Sequence, residues 1–414
     1  MIRKISVGQL QPGMHIERLD RSWLEVPIFR HVISSPEQVE QLISFKVREV
    51  YIDTDKGNDV TDADTGDAPP ANTAPPPPAP LAGLQLDRVP FIEEIASADR
   101  TFHKALGTIS SAMELARAGK MLQVEPVGET VDSMIASILR NRDAMTAIAS
   151  LKECSEEVYQ HCVRVCVLSL VFGHHMGCTR DDLKTLGMGA ILHDIGKMQV
   201  PTESQPAHRA MSEEQYKLYK KHPIIGAKYL NQMGNIGKRS LMILLQHHER
   251  ADGSGFPLGL ADDEILELSK LVVIADTYDK LTVREAPEER LTPYDAIRWI
   301  RTWGRQQYNA ELVAAFEQAL GLYPVGSFVR LSDNRAGIVL AVHHHATLLP
   351  QVWVAFDAEH RLLPEGQVVD LAAQEGRNPV TIVSALNPEK LGIDLATYIK
   401  DKHVFGGHWP DPAA

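Results

Sequence analysis

The chain has 414 residues, which is long for one compact core and predicts two or three domains. Hydrophobic residues make up 44% of it and charged residues 23%, which is ordinary for a soluble globular protein. The formal net charge of -12 argues against a broad electrostatic nucleic-acid binder, although a metal cluster could still give such a protein a locally positive pocket for a small anion.

The N-terminus and the hydropathy predict a cytoplasmic protein. The first residues, MIRKISVGQLQPGM, contain no long apolar segment, so we expect no secretory signal. No run of 18 or more apolar residues occurs, so we expect no membrane insertion. Cys162 and Cys166 lie one helical turn apart and could suit a thiol site, but we expect all four cysteines to be reduced packing residues.

Residues 1–57 predict a small α/β domain without a catalytic constellation. Ser35 and Pro36 have the pattern of a helix start, with Ser35 as the N-cap. An apolar stripe with helical spacing follows, and Val50–Ile52 predicts a short strand. The composition then changes to Asp, Thr, Ala and a proline run, so residues 58–88 are expected to form a flexible linker.

The rest of the chain predicts a helical region followed by a β-rich one. Residues 89–139 carry two apolar stripes and predict a helical connector, which packs either as plain core or as a dimer interface. Residues 140–322 are almost entirely helix-like segments with short turns and form the predicted catalytic domain. Residues 323–414 predict a β-rich extension with strands at Val325–Leu331, Ala336–Val342 and Gln351–Phe356, followed by a tail. The predicted fold class is therefore multidomain and mainly α.

Two ligand-type side chains, His193 and Asp194, stand next to each other behind an apolar run in the motif HDIGK, which ends at Lys197. Neighbouring positions on a helix diverge by about 100°. The two side chains therefore suit different ions, or one of them bridges two ions. Glu157 and His161 are four residues apart, which would place both on one helical face and offer a carboxylate and an imidazole together.

Further histidines and aspartates recur within the span of one domain. Each alone would be an ordinary core or surface residue, and the ordered set is what indicates a metal site. Imidazole and carboxylate without thiolate suit Fe, Mn, Ni, Zn or Co better than Cu(I). The eight candidate ligands exceed what one ion needs, so two or three divalent ions are expected among Glu157, His161, His193, Asp194, His222, His247, His248 and Asp276.

The two longest motifs resemble the HD-GYP family of cyclic di-GMP phosphodiesterases. They are HDIGK at residues 193–197 and HHERADGSGFP at residues 247–257. The match covers about residues 140–322 and extends to Tyr323–Gly326, which resembles the family's C-terminal extension. Residues 1–57 resemble an uncharacterised domain that often precedes HD-GYP domains. The resemblance implies an HD-type helical bundle as the catalytic domain.

The resemblance also implies roles for single residues. Asp194 would bridge two ions, and Glu157 matches the extra carboxylate of members with three metals, most often Fe or Mn. His193, Asp194 and Lys197 would be catalytic, with Lys197 on the substrate phosphate. Gly253 belongs with the loop that gives the family its name, and the implied substrate contacts are Lys197, Gly255, Phe256, Pro257, Asp279 and Arg284.

Two departures from the family pattern affect the substrate side of the site. Phe256 replaces the family's tyrosine, which removes a hydroxyl donor and keeps the ring. Where the family usually reads Tyr-Asp-Ala-Leu-Thr and then a spaced Arg-Pro-Tyr, this chain reads Tyr-Asp-Lys-Leu-Thr-Val-Arg-Glu-Ala-Pro at residues 278–287. Arg284 is the best candidate for the base or phosphate contact, but it falls one position early. Asp279 could position a guanine, position a histidine ligand, or be structural.

The resemblance implies hydrolysis of cyclic di-GMP to pGpG and further to GMP, which would lower a second messenger that controls biofilm and motility. Metal coordination lowers the pKa of bound water, and the ions together with Lys197 would neutralise charge on phosphorus. Two alternatives stay open: a cyclic di-GMP sensor with weak catalysis, and an HD phosphohydrolase of another nucleotide. Expected partners are the cyclic dinucleotide and either a second copy of the chain or a signalling protein, without DNA or RNA.

Overall fold

Helices dominate the chain, and a small β-sheet lies near each end of the sequence. The mainly α fold class is thereby confirmed. The computed structural model describes residues 2–19, 33, 36–44, 47–54, 58, 89–151, 157–201, 212–233, 235–283, 290–343, 345–374, 379–393 and 398. The chain divides into two compact units, which are residues 1–79 with 202–218 and residues 80–201 with 219–414.

The sheet of the first unit has three antiparallel strands in the order β1-β3-β2. Val50 at its centre is fully buried and pairs with Ile5. The predicted helix and the predicted strand at residues 50–52 are present, whereas the other two strands were not predicted and Ser35 lies outside the described residues. The elements are β1 (Ile2–Ser6), β2 (Ile16–Leu19), α1 (Pro36–Ser44) and β3 (Glu49–Asp53).

The remaining helices follow from residue 91 onward, and the two predicted apolar stripes form α2 and α3. In α2, Phe102, Ile109 and Met113 are fully buried. The helices are α2 (Phe91–Arg117), α3 (Glu125–Arg140), α4 (Arg142–Leu151), α5 (Glu157–His175), α6 (Arg180–Ile191), α7 (Glu213–Tyr219), α8 (His222–Met233), α9 (Lys238–Gln246), α10 (Glu267–Thr282), α11 (Pro293–Trp303) and α12 (Ala310–Leu320).

Helix α5 is the central helix of the second unit, because it packs against α2, α4, α6, α10 and α12. Its residues from Cys162 to Phe172 are all buried and, apart from Arg164 and Ser169, apolar, as expected of a helix surrounded by neighbours. Cys162 and Cys166 are buried and free, as predicted. Among the described residues, no helix is both long and apolar enough to span a membrane.

The C-terminal sheet has five antiparallel strands in the order β7-β6-β5-β4-β8. Its three central strands agree with the prediction, while β7 and β8 were missed because both are largely exposed and lack a clear apolar pattern. The Asp143 carboxylate on α4 accepts a hydrogen bond from the Val342 N–H at 3.0 Å, which fixes the end of β5. The strands are β4 (Phe328–Leu331), β5 (Ala336–Ala341), β6 (Gln351–Phe356), β7 (Leu362–Asp370) and β8 (Ile382–Leu386).

The HDIGK motif depends on a close backbone approach at Gly196. This glycine lies in a short 3-10 helix, Ile195–Gln199, that packs directly on the start of α8. A Cβ at Gly196 would lie 2.0 Å from the carbonyl oxygen of His222 and 2.6 Å from the N–H nitrogen of Gly226. Since both atoms belong to backbone, neither can rotate away. Glycine therefore lets the segment after Asp194 lie against the segment that carries His222.

We predict that Gly196→Ala destabilises the protein by at least about 2 kcal/mol, because overpacking against backbone forces the two segments apart. Thermal unfolding measures the loss. The matched control is Gly107→Ala on α2, where an added Cβ meets nothing within 4 Å. That change should raise stability by about 0.5–1 kcal/mol, because alanine is the better helix former. Equal melting temperatures for the two variants would contradict the packing argument.

Candidate metal centre

His193 and Asp194 lie in a tight turn, not within a helix as the sequence argument assumed. Helix α6 is N-capped by Thr179, whose hydroxyl accepts a hydrogen bond from the Asp182 N–H, and it ends at Ile191. The 3-10 helix begins directly after Asp194. Both side chains are fully buried. The side chains of His193 and Asp194 therefore both enter the interior from one short turn.

Three histidines follow helix ends, and each is oriented by a carbonyl three residues earlier. The Nδ1 atoms of His193 and His222 each lie 2.7 Å from a carbonyl oxygen, that of Ala190 and that of Tyr219 respectively. The Nδ1 atom of His247 lies 2.6 Å from the carbonyl oxygen of Leu244. A carbonyl only accepts hydrogen bonds, so Nδ1 carries the proton in each neutral ring. The Nε2 lone pairs consequently point inward, as metal ligands require.

His161 is oriented in the same way by a carboxylate. Its Nδ1 lies 2.7 Å from Asp279 Oδ2, and Asp279 in turn accepts a hydrogen bond from Arg164 Nε at 2.7 Å. Asp279 is buried, and both of its oxygens are engaged by these two side chains. Of the roles left open for Asp279, the geometry therefore favours the positioning of a histidine ligand.

The inward nitrogens approach one another in pairs. Nε2 of His161 lies 3.3 Å from Nε2 of His193, and Nε2 of His222 lies 3.2 Å from Nε2 of His247. Since each of these nitrogens carries a lone pair, neither pair can form a hydrogen bond in the tautomers set by Nδ1. Two ligand atoms at about 2.0–2.2 Å from one ion lie about 3–3.5 Å apart, so the spacing fits a shared cation.

Asp194 lies between the two histidine pairs. Its Oδ1 is 3.3 Å from His222 Nε2 and 3.6 Å from His247 Nε2. Its Oδ2 is 3.3 Å from His193 Nε2 and 3.5 Å from His161 Nε2. Each carboxylate oxygen thus faces a different pair, which is the geometry of a carboxylate that bridges two ion positions.

The predicted ligands fall into two groups, and within each group the ligand atoms all lie within 4.8 Å of one another. One group contains His161, His193 and Asp276, with Asp276 Oδ1 at 3.1 Å from His161 Nε2. The other contains Asp194, His222, His247 and His248. Seven of the eight predicted ligands therefore come together. The eighth is Glu157, whose side chain lies outside the described residues although its backbone begins α5.

Three buried polar atoms indicate whether this cluster suits divalent metal ions. Asp194 Oδ1, Asp276 Oδ1 and His248 Nε2 are all buried, and none has a hydrogen-bond partner among the described residues. An unsatisfied polar atom in the interior costs about 1–3 kcal/mol, and more when charged. All three point into the cluster and are atoms that coordinate metals. The residues therefore fit a multinuclear metal site.

The charge states of the cluster also suit metal binding, which needs neutral imidazoles and ionised carboxylates. Burial and the neighbouring His193 and His222 lower the pKa of His247 to about 3. Burial likewise lowers the pKa of His222 and of His248. At His161 the effect of burial is outweighed by hydrogen bonds to Asp276 and Asp279, which raise its pKa, so metal binding there would release a proton. Burial opposes ionisation of Asp194, but the neighbouring His193 and Lys197 bring its pKa well below the usual range.

A third group joins the buried thiol of Cys162 to His193 and Asp194. Burial raises the pKa of this thiol well above its ordinary value. Only a thiolate binds metals strongly, so the raised pKa disfavours Cys162 as a ligand relative to the imidazoles and carboxylates. The absence of thiolate assumed for these ligands is consistent with that chemistry.

Two lysines each contact one oxygen of a cluster carboxylate. Lys197 is buried, with Nζ 2.5 Å from Asp194 Oδ2 and 5.5 Å from the centre of the Tyr219 ring. Lys280 has Nζ 2.6 Å from Asp276 Oδ2. Lys197 was predicted from the sequence as a phosphate contact, whereas Lys280 was not predicted to be functional. Its position one helical turn after Asp276 was the available signal.

The loop at residues 253–257 packs on the second ligand group. The Phe256 ring stacks on His248, with ring centres 4.4 Å apart, and a cis peptide bond joins Phe256 to Pro257. A Cβ at Gly255 would lie 2.4 Å from the N–H nitrogen of Arg250, so glycine permits the close approach. Gly253 adopts a positive φ of 74°, which glycine favours in the turn. The ring of Phe256 thus covers one metal-ligand candidate.

Glu249 holds this loop in place, and the sequence reasoning missed it. The side chain is fully buried, and its two oxygens accept hydrogen bonds from the N–H groups of Leu258 and Leu260 at 2.7 and 3.0 Å. An acid directly after a ligand pair could equally have been a ligand, so only the fold shows its role. Arg284, the predicted substrate contact, lies outside the described residues.

Comparisons with known proteins identify the family. Residues 132–312 match the family model described as HD domain, and residues 2–127 match a domain of unknown function (DUF3391). A cyclic di-GMP phosphodiesterase of Pseudomonas aeruginosa is 32% identical over 374 residues, which cover 90% of this chain and 89% of that protein. The chain therefore belongs to the HD-GYP family of phosphodiesterases, which are hydrolases, and carries an N-terminal DUF3391 domain.

Other relatives match the catalytic part. A cyclic di-GMP phosphodiesterase of Thermotoga maritima is 32% identical over 161 residues, which cover 39% of this chain and 44% of that protein. Among solved structures, an HDG"Y"P protein from Bdellovibrio bacteriovorus is similar over 77% of this chain and 99% of its own, at 19% identity and a TM-score of 0.47. The family membership confirms the assignment made from the two motifs.

We predict that Asp279→Asn weakens metal binding about 10–100-fold, because the partner of a ligating histidine sets its orientation and basicity. Metal titration followed by calorimetry measures the change. Asp132→Asn is the matched control, because Asp132 pairs with Lys184 on the exposed surface and should leave metal affinity unaltered. Unchanged affinity in Asp279→Asn would show that this carboxylate does not position His161.

Proposed function

We propose that the protein is a metal-dependent phosphodiesterase that hydrolyses cyclic di-GMP to pGpG and, more slowly, to GMP. The observation that carries the proposal is Asp194, whose two oxygens face two separate histidine pairs in a buried cluster. The relatives named as cyclic di-GMP phosphodiesterases support the choice of substrate. In this proposal the enzyme acts in the cytoplasm and lowers a second messenger that controls biofilm and motility.

The proposed ligands would hold two ions, with Asp194 shared between them. His161, His193 and Asp276 would hold one, and His222, His247 and His248 the other. Glu157 would decide whether a third ion fits. Imidazole and carboxylate ligands favour iron or manganese, with nickel, cobalt and zinc as further candidates. Bound ions supply a nucleophile at neutral pH and neutralise charge that develops on phosphorus.

The chain's own residues would bind and orient the phosphodiester. Lys197 lies beside the bridging carboxylate and would donate a charge-assisted hydrogen bond to a phosphate oxygen. Gly255, Phe256 and Pro257 would line the substrate side of the second ligand group, since Phe256 already stacks on His248. Arg284 remains the predicted contact to a base or phosphate. Asp279 would orient His161 and would not touch substrate.

We predict that protein purified anaerobically with iron or manganese hydrolyses cyclic di-GMP to pGpG, and that Asp194→Ala loses turnover by about 1,000-fold or more. Metal charge stabilisation contributes several kcal/mol to the barrier, and each 1.36 kcal/mol is tenfold in rate. Chromatography of the products and elemental analysis of bound metal provide the readouts. Circular dichroism confirms that the variant is folded.

Asp132→Ala is the control, because its carboxylate lies in an exposed pair with Lys184. Tight cyclic di-GMP binding without turnover under either metal would favour the sensor alternative. Turnover of a different cyclic dinucleotide or nucleotide, but not of cyclic di-GMP, would contradict the substrate assignment while leaving the phosphodiesterase chemistry intact.

A further inference from the structure

Lys280 stands between the metal-ligand cluster and solvent. Its ammonium contacts Asp276 Oδ2 at 2.6 Å, whereas Oδ1 of the same carboxylate faces His161 Nε2 at 3.1 Å. The Lys280 side chain is 39% exposed, compared with 11% for Lys197 and 1% for Asp276. The ammonium is thus held at the rim of the cluster while part of its stem remains open to solvent.

Lys280 supports the ionised Asp276 carboxylate, and this pairing uses only part of the ammonium group. Lys280 and Asp276 are an i,i+4 pair on α10, in which Asp276 Oδ2 accepts from one of the three N–H donors of the ammonium. Asp276 is buried within the helix and directed at the histidines, whereas the lysine side chain is partly exposed. The remaining donors of Lys280 can therefore serve a ligand that enters from the solvent side.

Lys280 and Lys197 lie beside carboxylates that face the same histidine. Each ammonium lies against one oxygen of a cluster carboxylate, on Asp276 and Asp194 respectively, and both carboxylates face His161. The two ammonium groups therefore form one positively charged edge beside the ligands.

A phosphodiester that reaches this cluster carries a negative charge on two non-bridging oxygens. Lys197 and Lys280 lie against different carboxylates of the cluster, so their ammonium groups can donate charge-assisted hydrogen bonds to the two oxygens from different sides. Phe256 lacks a hydroxyl that could donate from the loop side. The chain therefore needs a donor from elsewhere, and α10 provides one at Lys280.

We propose that Lys280 is a second substrate-binding cation, which donates to a non-bridging oxygen of the phosphodiester beside the metal ligands. The proposal rests on the proposed function only in that the substrate is a phosphodiester, whichever bases it carries. Lys280 would help to hold the substrate, and Asp276 would remain a metal-ligand candidate when Lys280 is replaced.

Steady-state kinetics of the metal-loaded protein test this role with Lys280→Met, Lys280→Ala and Lys280→Arg. Removal of the ammonium should raise KM for cyclic di-GMP about 10-fold, as expected for a lost hydrogen bond to a charged group. The rate constant kcat should change less than about threefold, because a contact made equally in both states affects binding alone. Lys280→Arg should recover most of the affinity, and elemental analysis should find unchanged metal in all three.

The matched control is Lys184→Met, because Lys184 contacts Asp132 at the same 2.6 Å but lies away from the cluster. It should leave KM unchanged. Unchanged KM in Lys280→Met, or a fall in metal content with no KM effect, would overturn the proposal and assign Lys280 to the support of Asp276.

Binding of inorganic phosphate to the metal-loaded protein, measured by calorimetry, keeps this test separate from the substrate assignment. If the wild-type protein does not hydrolyse cyclic di-GMP, the proposed function fails while the phosphate measurement still decides the role of Lys280. An affinity about 10-fold weaker in Lys280→Met supports the proposal. Equal phosphate affinities in Lys280→Met and wild type contradict it.

Discussion

The buried carboxylate of Asp194 is the constraint to which the rest of the site responds. An ionised group in the interior is costly unless it is paired and hydrogen-bonded. One of its oxygens is paired with Lys197, while the other has no hydrogen-bond partner among the described residues and faces two imidazole nitrogens. A cation between Oδ1 and these nitrogens would compensate the carboxylate charge and use the imidazole lone pairs. The two oxygens of Asp194 therefore face the two proposed ion positions.

The same arrangement recurs at two other buried aspartates. Asp276 is paired with Lys280, and Asp279 is paired with Arg164. In each case a cationic side chain engages the carboxylate from one side, and the other side is directed at a histidine. The cations keep the three carboxylates ionised in a buried environment. Oδ1 of Asp194 and Oδ1 of Asp276 face the ligand cluster, and Oδ2 of Asp279 accepts a hydrogen bond from the His161 ring.

Helix ends supply the other half of the orientation. The last carbonyls of a helix have no partner within the helix. Near the ends of α6, α7 and α9, such carbonyls accept from Nδ1 of His193, His222 and His247 and so direct each Nε2 inward. Gly196 allows two of these segments to lie against each other. The metal-ligand geometry is thus a product of backbone termination as much as of side-chain choice.

Seven of the eight ligands predicted from the sequence come together in the structure, because they lie in dense, ordered motifs whose chemistry is specific. The sequence could not predict how Asp279 is used, because its partners His161 and Arg164 are more than a hundred residues away. Glu249 was missed because a buried acid that accepts two backbone N–H groups looks, in sequence, like any other acid. In the fold, β7 and β8 were missed because exposed strands leave little apolar alternation. The roles of Glu157 and Arg284 remain predictions.

Crystals of the protein grown with manganese or iron, examined by anomalous diffraction at the metal edge, would test the central claim directly. The account predicts at least two anomalous peaks, one within about 2.0–2.4 Å of each Asp194 oxygen. One peak would also contact His161, His193 and Asp276, and the other His222, His247 and His248. A single peak, or peaks that Asp194 does not contact, would contradict the bridging role of this carboxylate.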